Sequence, residues 1–205
     1  MATTLDRPTT NETGALIGGF RGVHHLVLNT EDIRSTIDFY AGVLGMPLIH
    51  AMKVPAGVNR GNPPFERIRH YFFDMGNDST LAFFELPKGA KQLADRDGVA
   101  AMQHVSFSLP PSKMDALCER LDRAGVERNG PFEAAPNTYS VYFFDPNGVR
   151  LEVSFQSNQG DDQRIVEAFH QTSEQMLSEL RTVTDDKDWL EWATRGAKDA
   201  VPSNE

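Results

Sequence analysis

The sequence predicts an α+β fold, in which two consecutive β-α-β-β-β modules precede a helical extension. Two observations predict it. A strand, an amphipathic helix and three further strands follow in the same order in both halves of the chain, which indicates an internal repeat. After residue 156 the apolar residues recur at helical spacing instead. These patterns predict a flexible N-terminal arm (1–20), a two-module domain (21–156, with modules at 21–88 and 101–156) and a C-terminal helical extension (157–205).

The first module opens with a strand over residues 23–28, in which apolar residues alternate. A helix follows, and Gly45 is its predicted end. Because successive strand residues point to opposite faces, His24 shares a face with the leucines that a helix would cover, whereas His25 points away from that helix. The later strands are predicted at 47–53, 67–75 and 80–86. The proline-rich stretch 54–66 is predicted to be a long loop that shapes a pocket.

The second module begins with a strand that has His104 near its start. A helix over 112–125 follows, with Ser112 and Asp115 as a predicted capping box. The later strands are predicted at 126–128, 139–144 and 149–155. The Asp-Pro-Asn-Gly stretch Asp145–Gly148 is predicted to be the turn between the last two strands.

The C-terminal extension is predicted to contain two helical segments. The first is an amphipathic helix over 161–181, and the second is a shorter apolar segment over 188–195. Their apolar faces need a cover, because large exposed apolar patches are rare on isolated proteins. We expect these faces to dock within a homodimer.

Composition and charge argue against several classes of function. The formal net charge of −9 argues against nucleic acid and anionic membrane surfaces as partners. No apolar run approaches the roughly 20 residues of a membrane-spanning helix, and the polar N-terminus is a poor signal peptide. Cys118 is the single cysteine, which fits a reducing compartment and a buried structural role. We therefore expect a cytoplasmic protein that acts on a small molecule.

One histidine and one glutamate occur at corresponding places in each module: His25 and Glu85 in the first, His104 and Glu152 in the second. Alternation along the strands predicts that all four side chains project from the concave sides of the two sheets. A carboxylate on such an apolar strand is costly unless it is paired or bound to a metal. Two imidazoles and two carboxylates suit one divalent ion of Fe, Ni, Zn, Co or Mn. The alternative is a pocket of structural hydrogen bonds.

The chain resembles the vicinal oxygen chelate superfamily, which includes glyoxalase I, extradiol dioxygenases and the bleomycin and fosfomycin resistance proteins. The resemblance covers about residues 22–156 and is specific in three stretches: HHLVLNTEDIRSTIDFYAGVLGM (24–46), QHVSFSL (103–109) and FFDPNGVRLEVSF (143–155). It implies that the two modules form a cupped half-barrel that closes within one chain or across a homodimer. It also implies one divalent metal in the cup, with His25, Glu85, His104 and Glu152 as ligands.

The four-ligand set resembles that of glyoxalase I most. This resemblance implies a lyase or isomerase in which the metal holds two neighbouring oxygens of a small substrate. Glu85 or Glu152 would then be the catalytic residue that moves a proton. Glyoxalase I carries an arginine four residues after its first ligand histidine, where it helps to bind glutathione, but this chain has Asn29 there.

Two alternatives remain open. The first is an Fe(II)-dependent extradiol dioxygenase, which needs only two histidines and one carboxylate and cleaves a catechol-like aromatic. The end of its fingerprint is present, including Tyr142 ten residues before Glu152, although Glu133 stands where its acid–base histidine is expected. The second alternative is a metal-free drug-binding or resistance protein, a class that lacks the four ligands. The candidate substrate-binding residues are His70, Tyr142, Asn29 and Arg67.

Overall fold

A computed structural model of the chain describes residues 23–53, 69–90, 95, 97–99, 101–158, 160–162, 171–197 and 199. Two four-stranded sheets dominate the described residues, and helices pack against one face of each sheet. The predicted α+β fold with two β-α-β-β-β modules is therefore confirmed. The predicted loop at 54–66 lies outside the described residues.

The first module forms one sheet. Its elements are β1 (His25–Thr30), α1 (Ile33–Ile37) with a π-helical continuation (Asp38–Leu44), β2 (Leu48–Lys53), β3 (Arg69–Gly76) and β4 (Ser79–Glu85). The strand order is β1-β4-β3-β2. β1 and β4 run parallel, and the other neighbours are antiparallel.

Local sequence determines both ends of the first helical segment. The Asp32 carboxylate accepts the backbone N–H of Ser35 at 3.1 Å, which satisfies one of the free donors at the helix start. Gly45 ends the π-helical continuation with φ +77°. A Cβ at Gly45 would lie 3.0 Å from the Arg120 guanidinium. Glycine therefore suits both the left-handed backbone conformation and the narrow space beside Arg120.

The second module repeats this arrangement. Its elements are β5 (Val105–Ser108), a 3-10 turn (Pro111–Lys113), α2 (Met114–Arg123), β6 (Arg128–Ala135), β7 (Thr138–Phe144) and β8 (Arg150–Gln156). The strand order is β5-β8-β7-β6, and β5 and β8 are the parallel pair. The turn at Asp145–Gly148 joins β7 to β8, as predicted. Cys118 is buried on α2, as predicted.

Two predictions for the second module are wrong. Ser112 and Asp115 do not form a capping box, because the backbone N–H of Ser112 donates to the Asp161 carboxylate at 3.2 Å and its hydroxyl donates to the same group. The predicted strand at 126–128 is too short, since β6 runs from Arg128 to Ala135. Most side chains of β6 are exposed, so no alternation of apolar residues marks this strand in the sequence.

The extension contains α3 (Ser173–Leu180) and α4 (Lys187–Ala193) among the described residues. A continuous helix over 161–181 is a wrong prediction, because Thr172 has an extended backbone and caps α3. Thr172 and Gln175 form a reciprocal capping box there. Within the described part of the chain, no helix is long and apolar enough to cross a membrane.

One hydrophobic core spans both modules. It joins α1 and α2 to the helix-facing side of each sheet, and its fully buried members include Tyr40, Phe73, Phe83, Leu121 and Val141. We call the opposite side of each sheet its inner face. The inner faces carry several exposed apolar side chains: Met52, Phe132 and Phe144.

Hydrogen bonds also lock the modules together. The hydroxyl of Tyr40 donates to the Asp145 carboxylate at 3.1 Å. The hydroxyl of Thr30 donates to the Asn147 side-chain oxygen at 2.7 Å, and the Asn147 amide donates to Thr36 at 3.2 Å. The turn between β7 and β8 is therefore anchored to the first module, which fixes the inner faces relative to the core.

Candidate metal centre

His104 and Glu152 lie together on the inner face of the second sheet. Ser106 pairs with Glu152 across the parallel strands β5 and β8, and His104 precedes Ser106 by two residues, so alternation places all three on one face. His104 Nε2 is 2.9 Å from Glu152 Oε2. Glu152 is only 8% exposed. The prediction that both side chains project from the same side of the second sheet is confirmed.

Hydroxyl groups of neighbouring residues form hydrogen bonds with the Glu152 carboxylate. The Tyr142 hydroxyl donates to Glu152 Oε1 at 2.6 Å. Burial alone would raise the pKa of Glu152, but hydrogen bonds from Tyr142, Ser140 and Ser154 and the nearby His104 charge outweigh it and lower that pKa. Burial and the bond to Glu152 raise the pKa of Tyr142. The carboxylate is therefore ionised, oriented and largely withdrawn from solvent.

The serine cluster beneath the carboxylate was missed by sequence reasoning as part of the site. Ser140 Oγ lies 2.9 Å from Ser154 Oγ, and Ser106 Oγ lies 3.3 Å from the same atom. The signal in the sequence is the occurrence of serine at alternate positions that share the Glu152 face. Gln156 ends this face, and its Nε2 is buried without a hydrogen-bond partner among the described residues.

His25 lies on the inner face of the first sheet, as predicted, and is exposed. Its Nδ1 is 2.7 Å from Nδ1 of His24. The ring centroid of His25 is 5.8 Å from that of Phe72 and 6.1 Å from that of His70. An imidazole on an exposed inner face is available to a ligand or metal.

Glu85 does not share the face of His25, so that part of the prediction is wrong. The register pairs His25 with Thr80 and Thr30 with Glu85. Glu85 lies five residues after Thr80, and because side chains alternate along a strand, an odd separation places the two on opposite faces. Glu85 instead accepts the Tyr71 hydroxyl at 2.8 Å and lies 4.0 Å from the Arg69 guanidinium. Its carboxylate is thus partnered on the helix-facing side of the sheet.

Ala82 occupies the position in the first sheet that corresponds to Glu152 in the second. In the first sheet Val27, two residues after His25, pairs with Ala82, and Ala82 pairs with Phe72. In the second sheet Ser106, two residues after His104, pairs with Glu152, and Glu152 pairs with Tyr142. The corresponding positions of the two modules therefore hold two histidines, His25 and His104, but one carboxylate, Glu152.

The remaining predicted site residues differ in their placement. Asn29 is exposed on the His25 face. His70 is on that face too, and it is buried between Phe72 and Phe84, with a ring centroid separation of 4.2 Å to each. Burial, together with the neighbouring imidazoles of His25 and His50, lowers the pKa of His70. Arg67 lies outside the described residues.

The chemistry of the donor set fits a divalent metal, but the described residues of one chain do not bring the three donors together. Two imidazole nitrogens and one carboxylate match a facial-triad ligand set that leaves coordination positions open. Among the described residues, no three histidine, cysteine, aspartate or glutamate side chains lie close enough to hold one ion. One chain therefore brings His104 and Glu152 together and leaves His25 apart from them.

Two proteins of Bacillus subtilis (strain 168) have sequences similar to this chain. It is 30% identical over 134 residues to the "putative ring-cleaving dioxygenase MhqO". The aligned residues make up 64% of this chain and 39% of that protein. It is 29% identical over 134 residues to the "putative ring-cleaving dioxygenase MhqA", with 63% and 39% covered. The chain thus spans about 39% of the length of these relatives.

Comparison with solved structures and family models agrees with the fold. The glyoxylase/bleomycin resistance protein/dioxygenase domain from Frankia sp. EAN1pec matches with a TM-score of 0.55 at 20% identity, over 67% of this chain and 98% of that one. The model of the Glyoxalase/Bleomycin resistance protein/Dioxygenase superfamily matches residues 22–153. A match over more than half of the chain, with the repeated modules seen here, shows that this protein belongs to that superfamily.

Proposed function

We propose that the protein is an Fe(II)-dependent dioxygenase that cleaves a catechol-like aromatic ring. The observation that carries this proposal is the presence of Ala82 where a fourth ligand would stand, which leaves two histidines and one carboxylate. This is the set that non-haem iron oxygenases use. The relatives named as putative ring-cleaving dioxygenases support the same class.

The proposed ligands are His25, His104 and Glu152. When bound, a divalent iron supplies open coordination positions for two neighbouring oxygens of the substrate. Tyr142 and the serine cluster orient Glu152 through hydrogen bonds. Outer-shell hydrogen bonds orient the ligands of metal sites in the same way. A buried carboxylate that already faces an imidazole nitrogen at 2.9 Å needs little rearrangement to share a metal with it.

The inner faces also suit an aromatic substrate. Phe72 and Phe84 are half-buried on the first sheet, and Phe132 stacks on Tyr142 on the second, with ring centroids 5.8 Å apart. A lining of apolar and aromatic side chains with a few polar groups is typical of small-molecule sites. Aromatic side chains in particular offer offset-stacked and edge-to-face contacts to a substrate ring.

We further propose that two copies of the chain complete each site. The core lies between the helices and the helix-facing sides of the sheets, so both inner faces point away from it. His25 does not reach the His104–Glu152 pair within the described part of one chain. In a two-fold homodimer, the first sheet of one copy faces the second sheet of its partner, and each copy contributes to both sites.

The predicted glyoxalase-type lyase is not favoured by the geometry. It rests on four ligands, and Glu85 lies on the face opposite to His25 with Tyr71 and Arg69 as partners. Glu152 would be the only inner-face carboxylate of the predicted set, so it would have to act both as a ligand and as the proton carrier. The metal-free binding protein is disfavoured by the ready His104–Glu152 pair.

Oxygen uptake tests the proposed function. Protein purified without oxygen and loaded with Fe(II) is mixed with a panel of catechols and hydroquinones, and oxygen consumption and ring-opened products are measured. We expect turnover that the variant Glu152→Gln abolishes and that Glu85→Gln retains. Stoichiometric iron without oxygen uptake on any diphenol, together with isomerisation of α-ketoaldehyde adducts, would overturn the proposal in favour of the lyase.

A further inference from the structure

His70 has the one buried imidazole nitrogen that lacks a hydrogen-bond partner among the described residues. The residue is 9% exposed, and its Nε2 has no hydrogen-bond partner there. A buried polar atom left unpaired is costly, and in native proteins such an atom is explained by strain, by a catalytic role, or by a bound water, ion or ligand. The orphan nitrogen therefore needs a partner from outside the described chain.

Its surroundings belong to the inner face of the first sheet. His70 pairs with Phe84 across β3 and β4, and the ring centroids lie 4.2 Å apart at an interplanar angle of 26°. The ring centroid of Phe72 is also 4.2 Å away, and that of His25 is 6.1 Å away. The imidazole is therefore fixed between two aromatic rings and beside a proposed metal ligand.

The corresponding position in the second sheet is different in one respect. The repeat places Ser140 there, and its hydroxyl is satisfied by Ser154 at 2.9 Å. In the first sheet the same two positions hold His70 and Phe84, and the phenylalanine offers no hydrogen bond. The Ser140 hydroxyl therefore has a hydrogen-bond partner within its own module, whereas His70 Nε2 is left for a group from outside the described residues.

We propose that His70 is a substrate-binding residue whose Nε2 hydrogen bonds to an oxygen substituent of an aromatic substrate seated beside Phe72 and Phe84. This inference rests on the proposed dioxygenase function and deepens it. The substrate class it implies is a hydroxylated benzene ring. His70 contacts the substrate and does not ligate the metal.

The test compares wild type with His70→Phe, His70→Gln and the matched control His50→Phe. Phenylalanine keeps an aromatic ring between Phe72 and Phe84 but removes the nitrogen, whereas glutamine restores a donor and an acceptor at a similar distance from the backbone. His50 is exposed and also contacts Phe72, with ring centroids 5.5 Å apart, so the control makes the same change without the buried orphan atom. Thermal midpoints of all four proteins check folding.

Two affinities are measured by calorimetry without oxygen: that for Fe(II), and that of the Fe(II)-loaded protein for 4-nitrocatechol. We expect His70→Phe to weaken 4-nitrocatechol binding by about three- to tenfold, the effect of one hydrogen bond. His70→Gln recovers part of that loss, His50→Phe matches wild type, and Fe(II) affinity is the same in all four.

Each other outcome overturns a defined statement. Equal 4-nitrocatechol binding by wild type and His70→Phe overturns this inference alone, and so does a loss of Fe(II) affinity in that variant, which would make His70 a metal ligand. Fe(II) uptake by wild type without any 4-nitrocatechol binding also overturns it. Failure of wild type to take up Fe(II) overturns the proposed function, and this inference with it.

Discussion

Ala82 stands at the position in the first sheet that Glu152 occupies in the second. Each pairs with the residue that lies two positions after its module's histidine, on the neighbouring parallel strand. The two modules share a backbone plan, yet only the second has a carboxylate at this level. The asymmetry sets the number of protein ligands in the proposed metal site at three. It also separates the proposed dioxygenase from a four-ligand lyase.

The first prediction concerns the two glutamates. Glu152→Gln removes a proposed ligand and should lower Fe(II) affinity by more than the roughly 10–100-fold that losing an outer-shell partner costs. Glu85→Gln should leave Fe(II) affinity unchanged, because Glu85 faces Tyr71 and Arg69 on the other side of the sheet. Calorimetric titration with Fe(II) measures both. A comparable loss in the two variants would contradict the three-ligand set.

Tyr142 provides the second prediction. Tyr142→Phe removes the 2.6 Å hydrogen bond to Glu152, so the carboxylate loses both orientation and a stabiliser of its ionised form. Fe(II) affinity should fall by about tenfold, at the lower end of outer-shell effects. Tyr139→Phe is the matched control, since Tyr139 pairs with Phe155 on the opposite face of the same strand. A Tyr142→Phe protein that binds Fe(II) like the Tyr139→Phe control would refute the supporting role.

The third prediction concerns the lock between modules. Asn147→Ala removes the contacts to Thr30 at 2.7 Å and Thr36 at 3.2 Å, and Thr36 is fully buried. The free energy of unfolding should fall by about 0.5–1.5 kcal/mol, the net contribution of a hydrogen bond, because the Thr30 and Thr36 hydroxyls keep their bond to each other at 2.9 Å. Urea unfolding measures it, with the exposed Asn129→Ala as a control expected within about 0.5 kcal/mol of wild type. Equal stability of the two variants would show that the lock contributes nothing.

Asp122 provides a prediction about pH. The Arg128 guanidinium donates to the Asp122 carboxylate at 2.7 and 2.9 Å and lowers its pKa. A carboxyl whose pKa is lower in the folded state stabilises the fold above its unfolded pKa, about 3.9. That stabilisation is lost as the pH falls through the lowered folded value.

Arg128→Met should therefore move the Asp122 pKa back up toward its ordinary range. A titration of the carboxyl carbon by NMR measures the pKa directly. Arg150→Met, which removes a charge from another strand, should leave it unchanged. A lowered pKa that persists in Arg128→Met would assign the shift to another cause.

Much of the fold was predictable because local sequence signals agree with the tertiary structure. Asp32 and Gly45 mark the ends of the first helical segment, and Asp145–Gly148 marks a tight turn. The exposed strand β6 lacks an apolar alternation, and Ser112 pairs with Asp161, which is distant in the sequence. Such features depend on exposure and on long-range partners, which local patterns do not encode.

The site was half predictable for a related reason. Alternation within β5 and β8 places His104 and Glu152 on one face. The same reasoning failed for Glu85, because the side on which a carboxylate lies depends on the register between β1 and β4. In this strand apolar residues occur on both faces, so the sequence did not show which face is covered by the helix.

The central claim is that each metal site takes His25 from one copy of the chain and His104 with Glu152 from another. Complementation tests it most directly: His25→Ala and Glu152→Ala are each purified, then mixed, unfolded and refolded together, and bound Fe(II) per chain is measured. Each variant alone should bind almost none. Random pairing should restore about a quarter of an ion per chain, since half of the dimers are mixed and each mixed dimer has one intact site. A mixture that binds no more than the separate variants would contradict the shared site.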